Sequence, residues 1–255
     1  MRIVVTRSAG DAKRQAAQLK ALGHQSVICP LLDIVYSDLP PLNLGGVQAL
    51  IATSRNALRG LRRNGAFEAA RHLPIYCVGE GTAELARELR FEQVLTGPGT
   101  AEDLAPLIAR GARPDAGALL YLTGHHLAFN LERPLKQAGF AMPRVILYEA
   151  REIGEAGAAR LAEELRLGVD GVILMSPRTA AIFVKLLETF KLGREAAAIT
   201  CYCYSDAVAR PLREIAGLTI AVSSHPTEGD LMGLIGPAPY RSGASTGLKD
   251  VLGKH

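Results

Sequence analysis

The chain repeats itself at about half its length. Residues 47–58 run from an apolar strand through Thr53-Ser54 into a helix, and residues 171–181 do the same through Ser176-Pro177. Arg55 and Ala57 match Arg178 and Ala180, 123 residues apart. Tyr76-Cys77 echoes Tyr202-Cys203 at a spacing of 126, and Thr100 with Asp103-Leu104 echoes Thr227 with Asp230-Leu231 at 127. Leu19-Lys20 with Gly23 echoes Leu135-Lys136 with Gly139 at 116. The four blocks recur in the same order. That excludes a short-period solenoid and points to two similar domains from a half-chain duplication.

A chain of 255 residues has room for two such domains, and 48% hydrophobic residues can furnish a core for each. Hydrophobic patterning predicts strands at 2–7, 49–52, 75–78, 93–96, 118–122, 144–151, 171–175, 199–204 and 218–222. Helices are expected at 11–22, 55–62, 82–89, 101–109, 127–138, 156–167, 177–190, 206–214 and 228–235. In the first of these, Ala12, Ala16, Leu19 and Leu22 face inward. Pro106 should kink the helix at 101–109 or shorten it. Residues 26–36 are extended but interrupted by Pro30, and 38–46 read as a linker. Strands alternating with helices predict two doubly wound, parallel sheets. From 237 onward the chain is polar and rich in Gly and Ser, and a disordered tail that contributes little to folding is expected.

The motifs exclude more than they assign. No secretory leader precedes the first strand and no apolar run reaches about 18 residues, so a cytoplasmic protein is expected. Cys29, Cys77, Cys201 and Cys203 lie in apolar runs without the paired spacing of a zinc site, and read as buried hydrophobes. A net charge of +4 suits an anionic ligand and is too mild and dispersed for nucleic acid. Gly79-Glu80-Gly81 follows a strand, but Glu84 stands where the third glycine of a dinucleotide fingerprint belongs. Nucleotide-phosphate loops, nucleophile elbows and H-E-x-x-H motifs are missing.

In open α/β sheets, ligands sit beyond the carboxyl ends of the strands. Here those ends are Thr6-Arg7-Ser8, Thr53-Ser54-Arg55, Gly79-Glu80-Gly81-Thr82, Thr123-Gly124-His125, Ser176-Pro177-Arg178, Ser205-Asp206 and Ser223-Ser224. They offer hydroxyls, free backbone N–H groups and helix N-termini, with hardly any catalytic carboxylates. Arg55 and Arg178 either clamp carboxylates or simply cover their helices. His125-His126 fits a solvated or ligand-rim position better than a metal site.

Taken together, Val4-Val5-Thr6-Arg7, Gly23-His24-Gln25, Thr53-Ser54-Arg55-Asn56-Ala57, Val78-Gly79-Glu80-Gly81-Thr82-Ala83, Tyr148, Ser176-Pro177-Arg178, Ser205-Asp206-Ala207-Val208-Ala209 and Pro226 near Asp230-Leu231 resemble the uroporphyrinogen-III synthase family over residues 1–236. Ala207-Val208 departs from it, standing where many members carry threonine, so any hydroxyl role there passes to Ser205. The resemblance implies two flavodoxin-like domains formed by exchange: 1–33 plus 153–236, and 38–144, joined by antiparallel strands at 30–37 and 145–152. It implies closure of the linear tetrapyrrole hydroxymethylbilane with loss of water and inversion of ring D. It also implies a monomer that needs neither metal nor cofactor and binds neither nucleic acid nor membrane. The substrate-binding residues are then Thr6, Arg7, Thr53, Ser54, Arg55, Gly79, Thr82, Thr123, Gly124, Ser176, Pro177, Arg178 and Ser205. Tyr148 would face the substrate as proton donor. Strand alternation sets Val145 and Leu147 on one face, and Ile146 and Tyr148 on the other. The other readings are a two-lobed binding protein without catalysis and a two-domain glycosyltransferase.

Overall fold

A computed structural model describes residues 1–127 and 131–238; the expected tail from 239 onward and part of the helix expected at 127–138 lie outside them. In chain order the strands are β1 (Arg2–Val5), β2 (Gln25–Ile28), β3 (Leu32–Tyr36), β4 (Val47–Ala52), β5 (Ile75–Cys77), β6 (Val94–Thr96), β7 (Ala118–Gly124), β8 (Arg144–Glu152), β9 (Gly171–Leu174), β10 (Thr200–Cys203) and β11 (Thr219–Val222). The helices are α1 (Ala9–Ala21), α2 (Arg55–Arg62), α3 (Phe67–Ala70), α4 (Glu80–Glu88), α5 (Ala101–Gly111), α6 (Glu132–Gln137), α7 (Glu155–Arg166), α8 (Pro177–Thr189), α9 (Gly193–Ala197), α10 (Asp206–Ala209) and α11 (Glu228–Ile235).

Two sheets result. The first has the order β11-β10-β9-β1-β2 and is parallel throughout. The second has the order β3-β8-β7-β4-β5-β6, parallel except for β3, which runs antiparallel to β8 at one edge. The duplication explains both orders. Apart from β3, which only repeat one has, each repeat supplies two strands before the strand that leads into its echoed Arg-Asn-Ala or Arg-Thr-Ala helix start, and three from that strand on. The first sheet takes β1 and β2 from repeat one and β9, β10 and β11 from repeat two. The second takes β7 and β8 from repeat two and β4, β5 and β6 from repeat one. By place in the repeat, both sheets run second, first, third, fourth, fifth, and the second adds β3 at its edge, beside β8. Val4 therefore sits between Val27 and Val172.

Strands buried on both faces read as unbroken apolar runs. Alternation sends Val4, Val172 and Leu174 into one core with Phe183 and Leu186, and Ile3, Val5 and Ile173 into another with Leu19 and Leu231. In the second sheet Leu50, Ala52 and Leu122 meet Leu58 and Leu61, while Ala49, Ile51 and Tyr121 meet Leu104 and Ile108. The caps are set by sequence. Ser54 accepts from the Asn56 N–H, and Ser176 with Thr179 forms a capping box behind Pro177 at the first helical position. Thr100 and Thr227 cap α5 and α11 by accepting from the N–H groups of Asp103 and Asp230.

Several expectations need correction. Pro106 neither ends nor shortens α5, which runs from Ala101 to Gly111. Pro106 is exposed, so water can serve the carbonyl left without a partner, while Leu104, Ala105 and Ile108 hold the other face. The helix expected at 206–214 is one α turn followed by a 3-10 segment, Arg210–Glu214, with Pro211 at its start. Helices α3 and α9 were not expected, being too short to carry a period.

Helix α2 packs closely on β8 at Gly60. A Cβ there would lie 2.8 Å from Leu147 Cβ and 2.9 Å from the Leu147 carbonyl oxygen. A carbonyl inside a sheet cannot step aside. Gly60→Ala should therefore cost about 1–3 kcal/mol by overpacking, even though alanine is the better helix former by about 1 kcal/mol. Urea unfolding will read this, and an unchanged midpoint would mean that α2 rides loosely on β8.

Candidate active site

The carboxyl ends of both sheets open onto one cleft of about 650 Å³. Arg7 and α1 form one wall. The turns after β4, β5 and β6 form the opposite wall, and Met175, Tyr204 and Pro226–Gly229 complete it. Of the sequence candidates, Arg7, Thr53, Ser54, Arg55, Gly79 and Thr82 line this cleft. Gly79 is needed for close approach, since a Cβ there would lie 3.0 Å from Gly99 Cα.

The remaining candidates lie elsewhere. Thr6 is buried and donates to the Ile173 carbonyl at 2.6 Å, tying β1 to β9. Thr123 is buried and donates to the Gly124 carbonyl at 3.2 Å. Ser176 and Pro177 begin α8, and Ser205 begins α10, none of them among the lining residues. Arg178 is also absent from the lining, and the caps explain why. Arg55 is the first residue of α2, whereas Arg178 is the second of α8. One residue along a helix turns the side chain by about 100°. The echo is out of step with the caps, and the two arginines point differently. His125 and His126 are exposed and stack edge to face, their ring centroids 4.9 Å apart.

Tyr148 also departs from simple alternation. The β7–β8 register shifts between Thr123 and Gly124, which pair with Ile146 and Tyr148. This irregularity packs Tyr148 against the same core as Val145 and Leu147. Bulges re-aim side chains in this way beside functional sites. The ring lies flat over Gly124, where a Cβ would come within 2.6 Å of Tyr148 Cζ. Burial raises the phenol pKa, the Ser54 hydroxyl draws it back, and Tyr121 and Tyr36 raise it further; the net shift is upward. Tyr148 itself is not among the lining residues; Ser54 is.

The sequence reading missed an ion-pair cluster across the cleft. Four arginines, Arg7, Arg14, Arg55 and Arg59, meet three carboxylates, Asp11, Glu84 and Glu228. Asp11 accepts from Arg59 at 2.6 Å, with Arg7 at 3.2 Å and Arg55 at 3.3 Å. Arg7 donates to Glu228 at 2.5 Å, and Arg14 bridges Glu84 at 2.8 Å and Glu228. Buried Arg55 also donates to the Gly81 carbonyl at 2.6 Å. Burial alone would raise the carboxyls of Asp11 and Glu228, but the arginines outweigh it and hold both below the usual range. Arg55 is lowered by burial, with Asp11 and Glu228 opposing. The available signal was a polar stripe on α1, Asp11, Arg14, Gln15 and Gln18, at helical spacing.

The four cysteines are buried and free, and burial pushes Cys77, Cys201 and Cys203 up to about 12, so these thiols stay protonated. Among the described residues no His, Cys, Asp and Glu group is arranged to hold a metal ion, and no helix is long and apolar enough to cross a membrane.

Fold and cleft define an α/β protein that presents the carboxyl ends of two largely parallel sheets to one cleft lined with hydroxyls, helix N-termini, arginines and carboxylates. The family model described as uroporphyrinogen-III synthase HemD matches residues 13–233, and the chain belongs to that family. The crystal structure of uroporphyrinogen-III synthetase from Helicobacter pylori is similar in fold, with TM-score 0.60 and 19% identity over 92% of this chain and 98% of that one. A mutant uroporphyrinogen III synthase from the extremely thermophilic bacterium Thermus thermophilus gives TM-score 0.55 and 17% identity over 92% and 96%. No curated protein matches the sequence.

Proposed function

We propose that the chain closes hydroxymethylbilane to uroporphyrinogen III, with loss of water and inversion of ring D, in tetrapyrrole biosynthesis. The observation that carries this is the family match, which runs through the elements of both walls of the cleft. In this reading the chain works as a cytoplasmic monomer. Its two flavodoxin-like domains are 1–33 plus 153–236 and 38–144. The strands at 30–37 and 145–152 join them, supported by the β3–β8 antiparallel pairing and by the shared strand order of the two sheets.

The substrate carries acetate and propionate carboxylates all round. Arg7, Arg55, the hydroxyls of Thr53, Ser54 and Thr82, and the α4 N-terminus at Gly79 take those carboxylates and fix the chain ends. Thr6, Thr123, Gly124, Ser176, Pro177, Arg178 and Ser205 complete the binding set, by shaping strand ends where they do not line the cleft. The ring A hydroxyl leaves as water with a donated proton, giving an azafulvene. The ring D carbon attacks it to form a spiro intermediate, which reopens and recloses inverted. Tyr148 supplies the proton at the departing hydroxyl.

Incubation with enzymatically generated bilane and separation of the uroporphyrinogen isomers tests the activity. The inverted, type III isomer is expected; only the uninverted isomer, at the uncatalysed rate, would leave a binding protein. Because partly exposed arginines attract the carboxylates, KM should rise severalfold between low salt and about 0.5 M, where the screening length is down to a few Å. A salt-independent KM would mean that hydroxyls and N–H groups alone bind the substrate.

A further inference from the structure

We propose that Arg14 is a recognition residue for the bilane, held by Glu84 and Glu228 until a substrate carboxylate takes the place of Glu84. The inference rests on the proposed substrate and adds a residue to its binding.

The cluster holds four guanidinium groups and three carboxylates, so it carries one net positive charge inside the cleft. The four cations are not equivalent. Arg55 is buried between Asp11 and the Gly81 carbonyl, and Arg59 is engaged with Asp11 and Asn56. Arg7 is partly buried between Asp11 and Glu228. Arg14 is the most exposed of the four, its side chain 38% accessible, and Glu84, which also lies 3.5 Å from Arg55, is the most exposed of the three carboxylates at 45%. Arg14 stands on α1 and Glu84 on α4, so this pair spans the mouth of the cleft from one wall to the other. An exposed pair of this kind contributes little net stability and exchanges readily.

An incoming acetate or propionate group has the chemistry of the Glu84 side chain. It can meet the Arg14 fork in the same way and adds a charge-assisted bond where one is given up. Glu228, less exposed and also held by Arg7, stays and keeps Arg14 aimed at the cleft. One turn further along α1, Gln18 lines the same wall. Its Oε1 is buried and has no partner among the described residues.

Exchange makes Glu84 a competitor of the substrate, and its removal should tighten binding. Loss of any nearby negative charge favours an anion, so the Arg14→Gln background is what separates exchange from general attraction. The test is a mutant cycle with Glu84→Gln, Arg14→Gln and the double variant, reading KM for the bilane and Kd for uroporphyrinogen III under anaerobic conditions. Glu84→Gln should lower both by about two- to fivefold, the range of an exposed pair. Arg14→Gln should raise both by about tenfold, as expected for lost hydrogen bonds to a charged group. In the Arg14→Gln background, Glu84→Gln should have no effect, and the changes should fall on KM rather than kcat. Exposed positions keep the variants folded, and Tm within a few degrees of wild type checks that. If Glu84→Gln binds no tighter, or its effect persists without Arg14, the exchange is wrong. If the wild type makes no type III isomer, the proposed reaction fails, while the Kd series still decides whether Arg14 reads a tetrapyrrole carboxylate.

Discussion

Asp11→Asn should lower the stability of the protein by about 3 kcal/mol, although it changes one atom. Asp11 is 6% exposed in the first turn of α1, where a carboxylate is favoured by the helix dipole. Its contacts with Arg55 and Arg59 join α1, which packs on the first sheet, to α2, which packs on the second. Removing one partner of a buried pair costs about 3–5 kcal/mol, because the other charge stays desolvated. Arg55 keeps the Gly81 carbonyl and, at 3.6 Å, Glu228, which places the cost at the lower end. In a chain of this size that corresponds to a fall in Tm of roughly 6–12 °C.

The pH dependence carries the same signature. The folded-state pKa values of Asp11 and Glu228 are depressed. Their stabilisation is therefore fully present above the ordinary carboxylate values near 4 and drains away as pH falls through the depressed ones. The wild type should lose stability steeply below about pH 4, and Asp11→Asn less steeply. Urea unfolding at pH 7 and along an acid series measures both. A loss under about 1 kcal/mol at pH 7 would show that water, not Asp11, is the main partner of Arg55 and Arg59.

The duplication made most of the fold legible. Four echoes in order fix which strands are equivalent, and the apolar runs of β4, β7 and β9 mark positions buried on both faces. Exchange between the repeats is invisible to periodicity, because a strand carries no mark of the sheet it joins. The family resemblance, not the pattern, supplied that. The site was legible where it consists of strand ends, as at Thr53-Ser54-Arg55 and Gly79–Thr82. It was illegible where charge goes inside. Asp11 and Gln15 are buried on α1 beside Ala12 and Leu19, and no hydrophobic count assigns an aspartate to the interior unless its arginines are already known. Arg178 matches Arg55 in sequence, but it stands one residue further from its cap and is not among the residues that line the cleft.

Tyr148→Phe should slow turnover by roughly 10²-fold or less while leaving KM, Tm and the type III product almost unchanged. The low end of general acid catalysis applies because the bilane loses its hydroxyl unaided as well. Local irregularity in β8 packs the ring on the α2 side of the sheet, Gly124 leaves room for it, and its hydrogen-bond partner Ser54 lines the cleft. Burial, the largest influence on its pKa, keeps the phenol protonated through neutral and mildly alkaline pH. The rate should therefore not fall between about pH 7 and 9 through this group. Phenylalanine keeps the ring over Gly124 and removes only the proton. Gly124→Ala does the reverse, since its Cβ would meet Tyr148 Cζ at 2.6 Å and force the ring to move with its hydroxyl intact. If position and proton both matter, the two variants should each slow kcat. A Tyr148→Phe protein that turns over at the wild-type rate would reduce Tyr148 to packing, and a slow Gly124→Ala protein alone would then report only a disturbed wall.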